Sequence, residues 1–316
     1  MTEKKIIAVV GATGAQGGGL AHAILNEPHG AFAVRALTRN VNSDKAKELA
    51  KLGAEVVAAD IDHATSLKLA FDGVYGVYCV TFFWEHCLPE KEMFQAAVMA
   101  QAAKNAGVKH VIWSTLEDTR KWVPIRDNRM PTIMDKYKVP HFDGKGASNE
   151  AFRQIGVPTT YFLTSLYWEN FIYLGMGHAK SPDGTLAITL PTGDKRLPGI
   201  AAEDIGKCAF GIFKRGVEFI GRTVGIAGGH LTGVQMASAL SKALGRKVTY
   251  NDVPPDVYRG LDLPAARDLG NMFQFIRDFE TDFCAARDVE LSRTLNPALL
   301  SFDAWLDKNK DRIPLE

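Results

Sequence analysis

The 316-residue chain has few cysteines and almost no net charge, and both absences exclude classes of protein. Its four cysteines, Cys79, Cys87, Cys208 and Cys284, are widely spaced and form no CxxC pair. This pattern argues against a disulfide framework and is typical of buried thiols in a reducing compartment. The formal net charge is +1, from 37 basic and 36 acidic residues. We therefore expect no direct binding to nucleic acid and no attraction to anionic membranes.

Long hydrophobic runs are also absent. The first apolar run, residues 6–10, is followed at once by glycines, so it is too short for the core of a signal peptide. The most apolar later stretch, residues 74–84, is well below the ~18 residues that suggest a membrane span. The sequence therefore predicts a cytoplasmic protein that makes no contact with membranes.

Strand-like and helical segments alternate through the first half of the chain. Apolar, β-branched runs predict strands at residues 6–10, 32–37, 55–59, 76–80, 111–114 and 159–163. Segments of helical period predict helices at 16–26, 43–52, 64–71, 90–106 and 142–155. This alternation predicts an α/β fold of Rossmann type, a doubly wound parallel sheet with helices on both faces.

The pattern loosens in the second half. We assign residues 1–163 to a dinucleotide-binding domain, with later segments returning to its sheet, and residues 164–316 to a smaller C-terminal α/β lobe. Helices in the lobe are predicted at 202–214, 232–244 and 299–308. The polar segment 121–139 contains two prolines and no clear period, which indicates a loop or flap.

A glycine-rich turn follows the first predicted strand and opens a predicted helix. It consists of Gly11, Ala12, Thr13, Gly14, Ala15, Gln16 and Gly17, a GxxGxxG arrangement. The first glycine permits the tight turn, the second lets the backbone approach a pyrophosphate, and the third lets the helix pack on the strand. In this context the turn predicts a phosphate bound by N–H groups at the start of the helix.

The end of the second predicted strand indicates which dinucleotide binds. Folds that bind NAD place Asp or Glu here for the ribose 2′-OH, whereas folds that bind NADP use Arg for the 2′-phosphate. This chain has Arg39 followed by Asn40 and no carboxylate, which predicts NADP(H). Further cofactor contacts are predicted where later strands end, at Asp60, Ile61, Thr81, Phe82 and Phe83. For the two phenylalanines, ordinary core packing is an equal alternative.

Several longer motifs extend from the first strand to the last helix. They are GATGAQGG at 11–18, TRN at 38–40, VTxxWE ending at 85, HFDGKG at 141–146, YWEN at 167–170, LPTGD at 190–194, AARDLGNMFQF at 265–275 and SFDAWL at 301–306. On these motifs the chain resembles the NmrA-like family of atypical short-chain dehydrogenases, close to its HSCARG-like branch. The glycine motif is widespread, but HFDGKG, YWEN and ARDLGNMF are far more specific.

The resemblance implies an NADP(H)-binding redox sensor, used for regulation more than for turnover. Such a protein would act through a protein partner or as a homodimer. Beyond the glycine turn and the strand ends, cofactor contacts are implied at Lys145, Tyr167, Trp168, Glu169 and Asn170. The family branch has a lysine on the helix after Trp-Glu where this chain has Phe94, so a charged contact from that helix is not expected.

The catalytic Tyr-x-x-x-Lys pair of short-chain dehydrogenases is incomplete. None of the eight tyrosines has a lysine four residues later, and His141 stands four residues before Lys145. One helical turn of spacing puts both on one helix face. Lys145 could hold ribose hydroxyls in a binding module, or both residues could serve a quinone- or isoflavone-reductase-like oxidoreductase that uses NADPH. With no HExxH and no CxxC, we expect no metal site.

Overall fold

The structure is a computed structural model that describes residues 3–174, 179–180 and 186–314. Its strands are β1 (Lys5–Val9), β2 (Phe32–Thr38), β3 (Glu55–Ala58), β4 (Gly76–Cys79), β5 (His110–Thr115), β6 (Thr159–Leu163), β7 (Leu166–Tyr167), β8 (Ala179–Lys180), β9 (Leu186–Leu190), β10 (Arg196–Ile200), β11 (Thr223–Gly225), β12 (Gly229–Thr232) and β13 (Val248–Asp252). Its α-helices are α1 (Ala15–Leu25), α2 (Asp44–Lys51), α3 (Ala64–Ala70), α4 (Pro89–Asn105), α5 (Pro140–Ile155), α6 (Asn170–Tyr173), α7 (Ala202–Lys214), α8 (Gly233–Leu244), α9 (Pro255–Arg259), α10 (Ala266–Asp278), α11 (Glu280–Ala285), α12 (Val289–Leu295) and α13 (Phe302–Asn309).

The central sheet has seven parallel strands in the order β3-β2-β1-β4-β5-β6-β11. The α/β alternation predicted from the sequence is confirmed, and the six predicted strands and the five helices between them lie within two residues of their expected bounds. The strand order reverses between β1 and β4. In a doubly wound sheet, ligands bind outside the carboxyl ends of the strands at this switch point.

The apolar strand β1 is buried on both faces of the sheet. Ile7 and Val9 belong to a cluster that includes Leu20 of α1 and Phe213 of α7. Ala8 belongs to a second cluster, formed with α3, α4 and neighbouring strands. This two-sided burial explains why the strand is continuously hydrophobic instead of alternating between apolar and polar residues.

Two small sheets complete the architecture. In one, β10 pairs antiparallel with β12 and parallel with β7; in the other, β9 pairs parallel with β13 and antiparallel with β8. These strands, with α8–α11 and α13, enclose a core that includes Trp168, Phe273 and Trp305, whereas α12 packs against the core of the central sheet. Along the chain, α7 and β11 lie between β10 and β12 and return to the central sheet. β11 pairs with β6, and α7 packs in the core of that sheet.

The segment 121–139 is a loop, as its composition indicates, and its backbone is held by hydrogen bonds. The fully buried Lys138 Nζ donates to the carbonyl oxygens of Asp127 (2.7 Å) and Met130 (2.8 Å). From α10, Asn271 Nδ2 donates to the carbonyl oxygen of Lys138. The loop is therefore attached to a helix more than a hundred residues away in the chain.

One expectation about the cysteines is wrong. Cys79, Cys208 and Cys284 are buried as predicted, but Cys87 is exposed, because it lies in a turn before α4 with a φ of 56°. Within residues 3–174, 179–180 and 186–314, no helix is long and apolar enough to cross a bilayer.

Candidate functional site

The glycine turn lies at the switch point of the sheet, between β1 and α1. Gly11 has a φ of 65°, which L side chains rarely adopt, and a Cβ on Gly17 would lie 2.4 Å from the carbonyl oxygen of Gly11. Gly14 is the N-cap of α1, and no side chain in the described part of the chain caps this helix. The first-turn N–H groups and the positive end of the helix dipole can therefore bind an anion.

The side chain of Gln16 supports this turn from inside the protein. Its Nε2 donates to Tyr167, and its Oε1 accepts from Tyr78 and from Ser114 Oγ (2.8 Å). Burial raises the pKa of Tyr167 to about 12 and raises that of Tyr78 well above its usual range, so both phenols are neutral hydrogen-bonding groups. The network connects the glycine turn to β4, β5 and β7. Gln16 and Tyr167 therefore hold the turn in position.

Two basic side chains lie at the β2 end of the site. The guanidinium of Arg39, whose side chain is 63% exposed, forms an ion pair of 2.5 Å with Glu85. This carboxylate, which follows β4, raises the pKa of Arg39. Lys45 of α2, which the sequence analysis missed, donates through Nζ to the carbonyl oxygen of Thr13 (3.3 Å). Asn40 is exposed beside Arg39.

The turn after β3 is fixed against α4. Asp60 Oδ1 accepts from the N–H of Asp62 (3.0 Å), and Ile61 packs against the core cluster on that face of the sheet. Asp62 accepts from Gln95 (2.8 Å) and pairs with Lys91 (3.0 Å), and these contacts lower the pKa of Asp62. The turn therefore has a defined shape at a strand end where cofactor contacts are predicted.

Beyond β4, Lys145 takes part in a buried polar cluster with Thr81 and Glu92. Lys145 Nζ lies 2.6 Å from Thr81 Oγ1 and 3.0 Å from Glu92 Oε1. Thr81 Oγ1 in turn donates to the same carboxylate oxygen (2.6 Å). Glu92 is fully buried, and its Oε2 has no hydrogen-bond partner in the described part of the chain. Sequence reasoning missed Glu92, because an acidic residue in the first turn of a helix is explained sufficiently by the helix dipole.

One helical turn before Lys145, His141 is held by a carboxylate. Its Nδ1 lies 2.7 Å from Asp268 Oδ1 of α10, and its backbone N–H donates to Asp268 Oδ2 (3.3 Å). Because a carboxylate only accepts, Nδ1 carries the proton. The Nε2 atom has no hydrogen-bond partner among the described residues, and the ring centroids of Trp84 and His141 lie 4.9 Å apart. Asp268 was missed by the sequence analysis, although it belongs to the ARDLGNMF motif.

The HFDGKG motif has a structural explanation at each remaining position. Phe142 enters the core beside α10, and Asp143 accepts from the N–H groups of Lys138 (2.8 Å) and Val139 (3.1 Å). A Cβ on the first glycine of the motif would lie 3.2 Å from Pro89 of α4, and one on the second would lie 2.3 Å from the backbone N of residue 118. The motif therefore places α5 close to both neighbours while it presents His141 and Lys145.

The YWEN motif divides between the site and the core. Tyr167 contacts the glycine turn through Gln16, whereas Trp168 is only 1% exposed and packs against Phe302 and Trp305. Glu169 accepts from the N–H of Ala202 and from the indole of Trp305. Asn170 begins α6. The side chains of Trp168 and Glu169 are therefore directed to the C-terminal helices instead of to the glycine turn.

The aromatic residues after β4 point in different directions. Phe83 is buried and lies 6.0 Å from His141 between ring centroids, so its core-packing alternative describes it well. Phe82 is 62% exposed, and Phe94 of α4 is 55% exposed. Phe94 stands where the family branch has a lysine, but α4 does make a charged contact, because its Glu92 pairs with Lys145.

Comparison with known proteins gives one family and two functional contexts. The model of the NmrA-like family matches residues 3–306. FrzB of Cladobotryum sp, an NmrA-like family domain-containing oxidoreductase, is 30% identical over 292 residues, 85% of this chain and 83% of FrzB. NmrA, a negative transcriptional regulator solved in complex with NADP, has a TM-score of 0.79 at 24% identity over 97% of this chain and 95% of its own. Triphenylmethane reductase of Citrobacter sp., complexed with NADP(H), has a TM-score of 0.72 at 22% identity over 97% and 99% of the two chains.

Proposed function

This chain belongs to the NmrA-like family, and from that premise we propose that it binds NADP(H) and acts as an NADPH-dependent oxidoreductase. The donor set fits the cofactor. The uncapped first turn of α1 suits the pyrophosphate, Arg39 and Lys45 suit the 2′-phosphate, and Lys145 suits the hydroxyls of a ribose. The oxidoreductase name of FrzB supports the proposed activity, and the two similar structures solved with NADP and NADP(H) support the proposed cofactor.

The His141–Asp268 pair is the observation that carries the catalytic part of the proposal. Both side chains are about nine-tenths buried, so the carboxylate interacts strongly with the ring and fixes its tautomer. A histidine oriented in this way through Nδ1 can move a proton at Nε2. It also stands at the position of the missing tyrosine, four residues before Lys145.

The residues of the chain would divide the reaction between them. Bound NADPH would supply a hydride to an electrophilic carbon of a quinone or similar carbonyl compound. The carbonyl oxygen of that compound then takes up negative charge. His141, in its imidazolium form, gives its Nε2 proton to that oxygen, while Asp268 stabilises the cation and accepts from Nδ1 throughout. The neutral imidazole then regains a proton from water. Lys145, held by Thr81 and Glu92, orients the ribose and does not need to donate.

Steady-state NADPH consumption with a panel of quinones and carbonyl compounds tests this proposal. His141→Gln should lower kcat by about 10²–10⁴-fold, since it removes a general acid, and leave the Kd for NADPH within about twofold. Asp268→Asn should lower kcat less and change its pH profile, because it acts through His141. The matched control is His29→Gln, at an exposed histidine. Absence of turnover in the wild type, or a His141→Gln variant as active as the control, would contradict the proposal.

A second candidate function, a redox sensor acting through a protein partner or a second copy, is favoured by one observation. Four large apolar side chains are exposed around the turn between β4 and α4: Phe82, Trp84, Leu88 and Phe94. Exposed apolar groups gathered beside a ligand site are typical of an interaction surface. On the motifs HFDGKG and YWEN we also propose that the chain belongs to the HSCARG-like branch of the family. Members of that branch are regarded as sensors.

Sedimentation velocity and limited proteolysis, each with NADPH and with NADP⁺, test the sensor function. We expect the response near residues 81–88, because the loop 121–139 is already hydrogen-bonded to α10. A sedimentation coefficient and cleavage pattern that are identical with both forms of the cofactor would count against the sensor.

A further inference from the structure

Residues 81–88, which we call the β4–α4 segment, contact three separate parts of the site. Thr81 accepts from Lys145 through both its hydroxyl and its carbonyl oxygen. Trp84 lies against the imidazole of His141. Glu85, the next residue, holds the guanidinium of Arg39. A shift of Glu85 on release from Arg39 therefore occurs one residue away from Trp84, whose ring lies beside the imidazole of His141.

The ion pair between Arg39 and Glu85 is exposed, so another anion can replace Glu85. The side chain of Arg39 is 63% exposed and that of Glu85 is 45% exposed, so water and ions reach both partners. A phosphate monoester has up to two negative charges and three acceptor oxygens, and it can bind a guanidinium through two parallel hydrogen bonds. The Glu85 contact uses Nη1, one of the two terminal donors through which a phosphate can bind the guanidinium end-on. Carboxylate and phosphate therefore compete for the same group.

We propose that Glu85 occupies Arg39 until a 2′-phosphate replaces it, and that the release of Glu85 moves Trp84 away from His141. The proposal rests on the cofactor-binding part of the proposed function and does not depend on turnover. It makes access to His141 depend on the phosphorylated ribose. Since NADPH and NADP⁺ share that phosphate, the device distinguishes them from NADH and NAD⁺ but does not read the redox state.

The expected size of the effect follows from the exposure of the pair. Exposed ion pairs contribute little, so removing Glu85 should strengthen binding of a 2′-phosphate by about two- to fivefold. The effect should be confined to ligands with that phosphate. In Glu85→Gln, His141 should also become more accessible without any ligand, because the ion pair that ties Glu85 to Arg39 is gone.

Calorimetry with adenosine 2′,5′-bisphosphate and with adenosine 5′-monophosphate tests the exchange on the full chain. Glu85→Gln should bind the bisphosphate two- to fivefold more tightly than the wild type and the monophosphate equally. The matched control is Glu90→Gln, which removes a carboxylate that pairs with Lys136 and Tyr137 instead. An unchanged ratio of the two affinities in Glu85→Gln overturns the proposal. Weaker binding of the monophosphate also overturns it, because Glu85 would then accept from a ribose hydroxyl.

Modification of His141 by diethyl pyrocarbonate, followed by mass spectrometry, tests the transmission to the reaction site. In the wild type the bisphosphate should accelerate modification of His141 and the monophosphate should not. In Glu85→Gln, modification should be fast without ligand. The four conditions are the wild type alone, the wild type with the bisphosphate, the wild type with the monophosphate, and Glu85→Gln alone. Equal modification rates in all four would overturn the proposed movement of Trp84. A wild-type protein that binds neither nucleotide would instead overturn the cofactor assignment itself, an outcome distinct from a failure of the exchange.

Discussion

His110, the first residue of β5, is a buried histidine outside the candidate site. Its Nε2 lies 2.8 Å from Thr160 Oγ1, its ring packs edge-on against Phe213, and its Nδ1 has no hydrogen-bond partner in the described part of the chain. Burial lowers the pKa of His110 to about 4, from an ordinary value of 6.5. The neutral ring is therefore the form that the folded protein accepts.

This histidine should make the protein less stable in mild acid. Between about pH 6.5 and 4 the unfolded chain binds a proton at His110 and the folded chain does not, so the free energy of unfolding falls as the pH falls. The full loss is on the order of 3 kcal/mol. Urea denaturation at several pH values should show a flatter profile for His110→Gln than for the wild type. The exposed His29→Gln should keep the wild-type slope, and a His110→Gln profile that is equally steep would refute the assignment.

At the scale of elements, α1 and α7 approach each other through glycines. A Cβ on Gly206 of α7 would lie 1.9 Å from the backbone N of Leu20, and one on Gly19 of α1 would lie 2.6 Å from the carbonyl oxygen of Glu203. These contacts are with backbone atoms, which cannot turn aside as a side chain can. Since α1 begins at the glycine turn, this crossing also determines where the phosphate-binding N–H groups lie.

Gly206→Ala should therefore be strongly destabilising. Overpacking of a core usually costs about 1–3 kcal/mol, and the backbone clash here should put the loss of unfolding free energy at the upper end or above. Binding of adenosine 2′,5′-bisphosphate should weaken together with it, because α1 must shift. Gly229→Ala provides the comparison: an added Cβ meets no atom of the described residues within 4 Å there. Equal stability of the two variants would mean that the helices separate easily.

At the scale of the whole molecule, Arg287 joins the central sheet to the C-terminal helices. Its guanidinium is fully buried and donates to both carboxylate oxygens of Glu117 (2.6 and 2.9 Å) and to the carbonyl oxygen of Thr164 (2.8 Å). It also stacks on Phe283, 3.6 Å from the ring centroid. Glu117 follows β5 and Thr164 follows β6, so one side chain fixes two loops at the carboxyl edge of the sheet.

Removing one partner of the Arg287–Glu117 ion pair should destabilise the protein more than removing both charges. Arg287→Met leaves Glu117 buried and unpaired, which typically costs about 3–5 kcal/mol. The double variant Arg287→Met with Glu117→Gln should regain part of that loss, because no buried charge remains. Chemical denaturation of the single and double variants measures the difference. If the second substitution restores no unfolding free energy, the loss comes from the hydrogen bonds and packing of Arg287 and not from the unpaired carboxylate of Glu117.

The sequence by itself determined the Rossmann-type alternation and the glycine turn. These features are local: a strand buried on both faces must be continuously apolar, and the turn needs glycine at Gly11 and Gly17 whatever lies farther away. The position of Arg39 at the end of β2 follows from the same register, because β2 ends one residue before it. The i, i+4 relation of His141 and Lys145 required only a helix.

Tertiary structure alone decided which charged groups meet. Asp268 lies 127 residues from His141, and Glu85 lies 46 residues from Arg39. Asp268 belongs to the motif AARDLGNMFQF and Glu85 to the motif VTxxWE, but neither motif shows which side chain the carboxylate meets, since each contact depends on how separate helices and turns pack. For the same reason, Trp168 turns toward the C-terminal core although its motif contacts the glycine turn one residue earlier. Period and spacing show which face of an element is buried, but only packing shows what lies opposite.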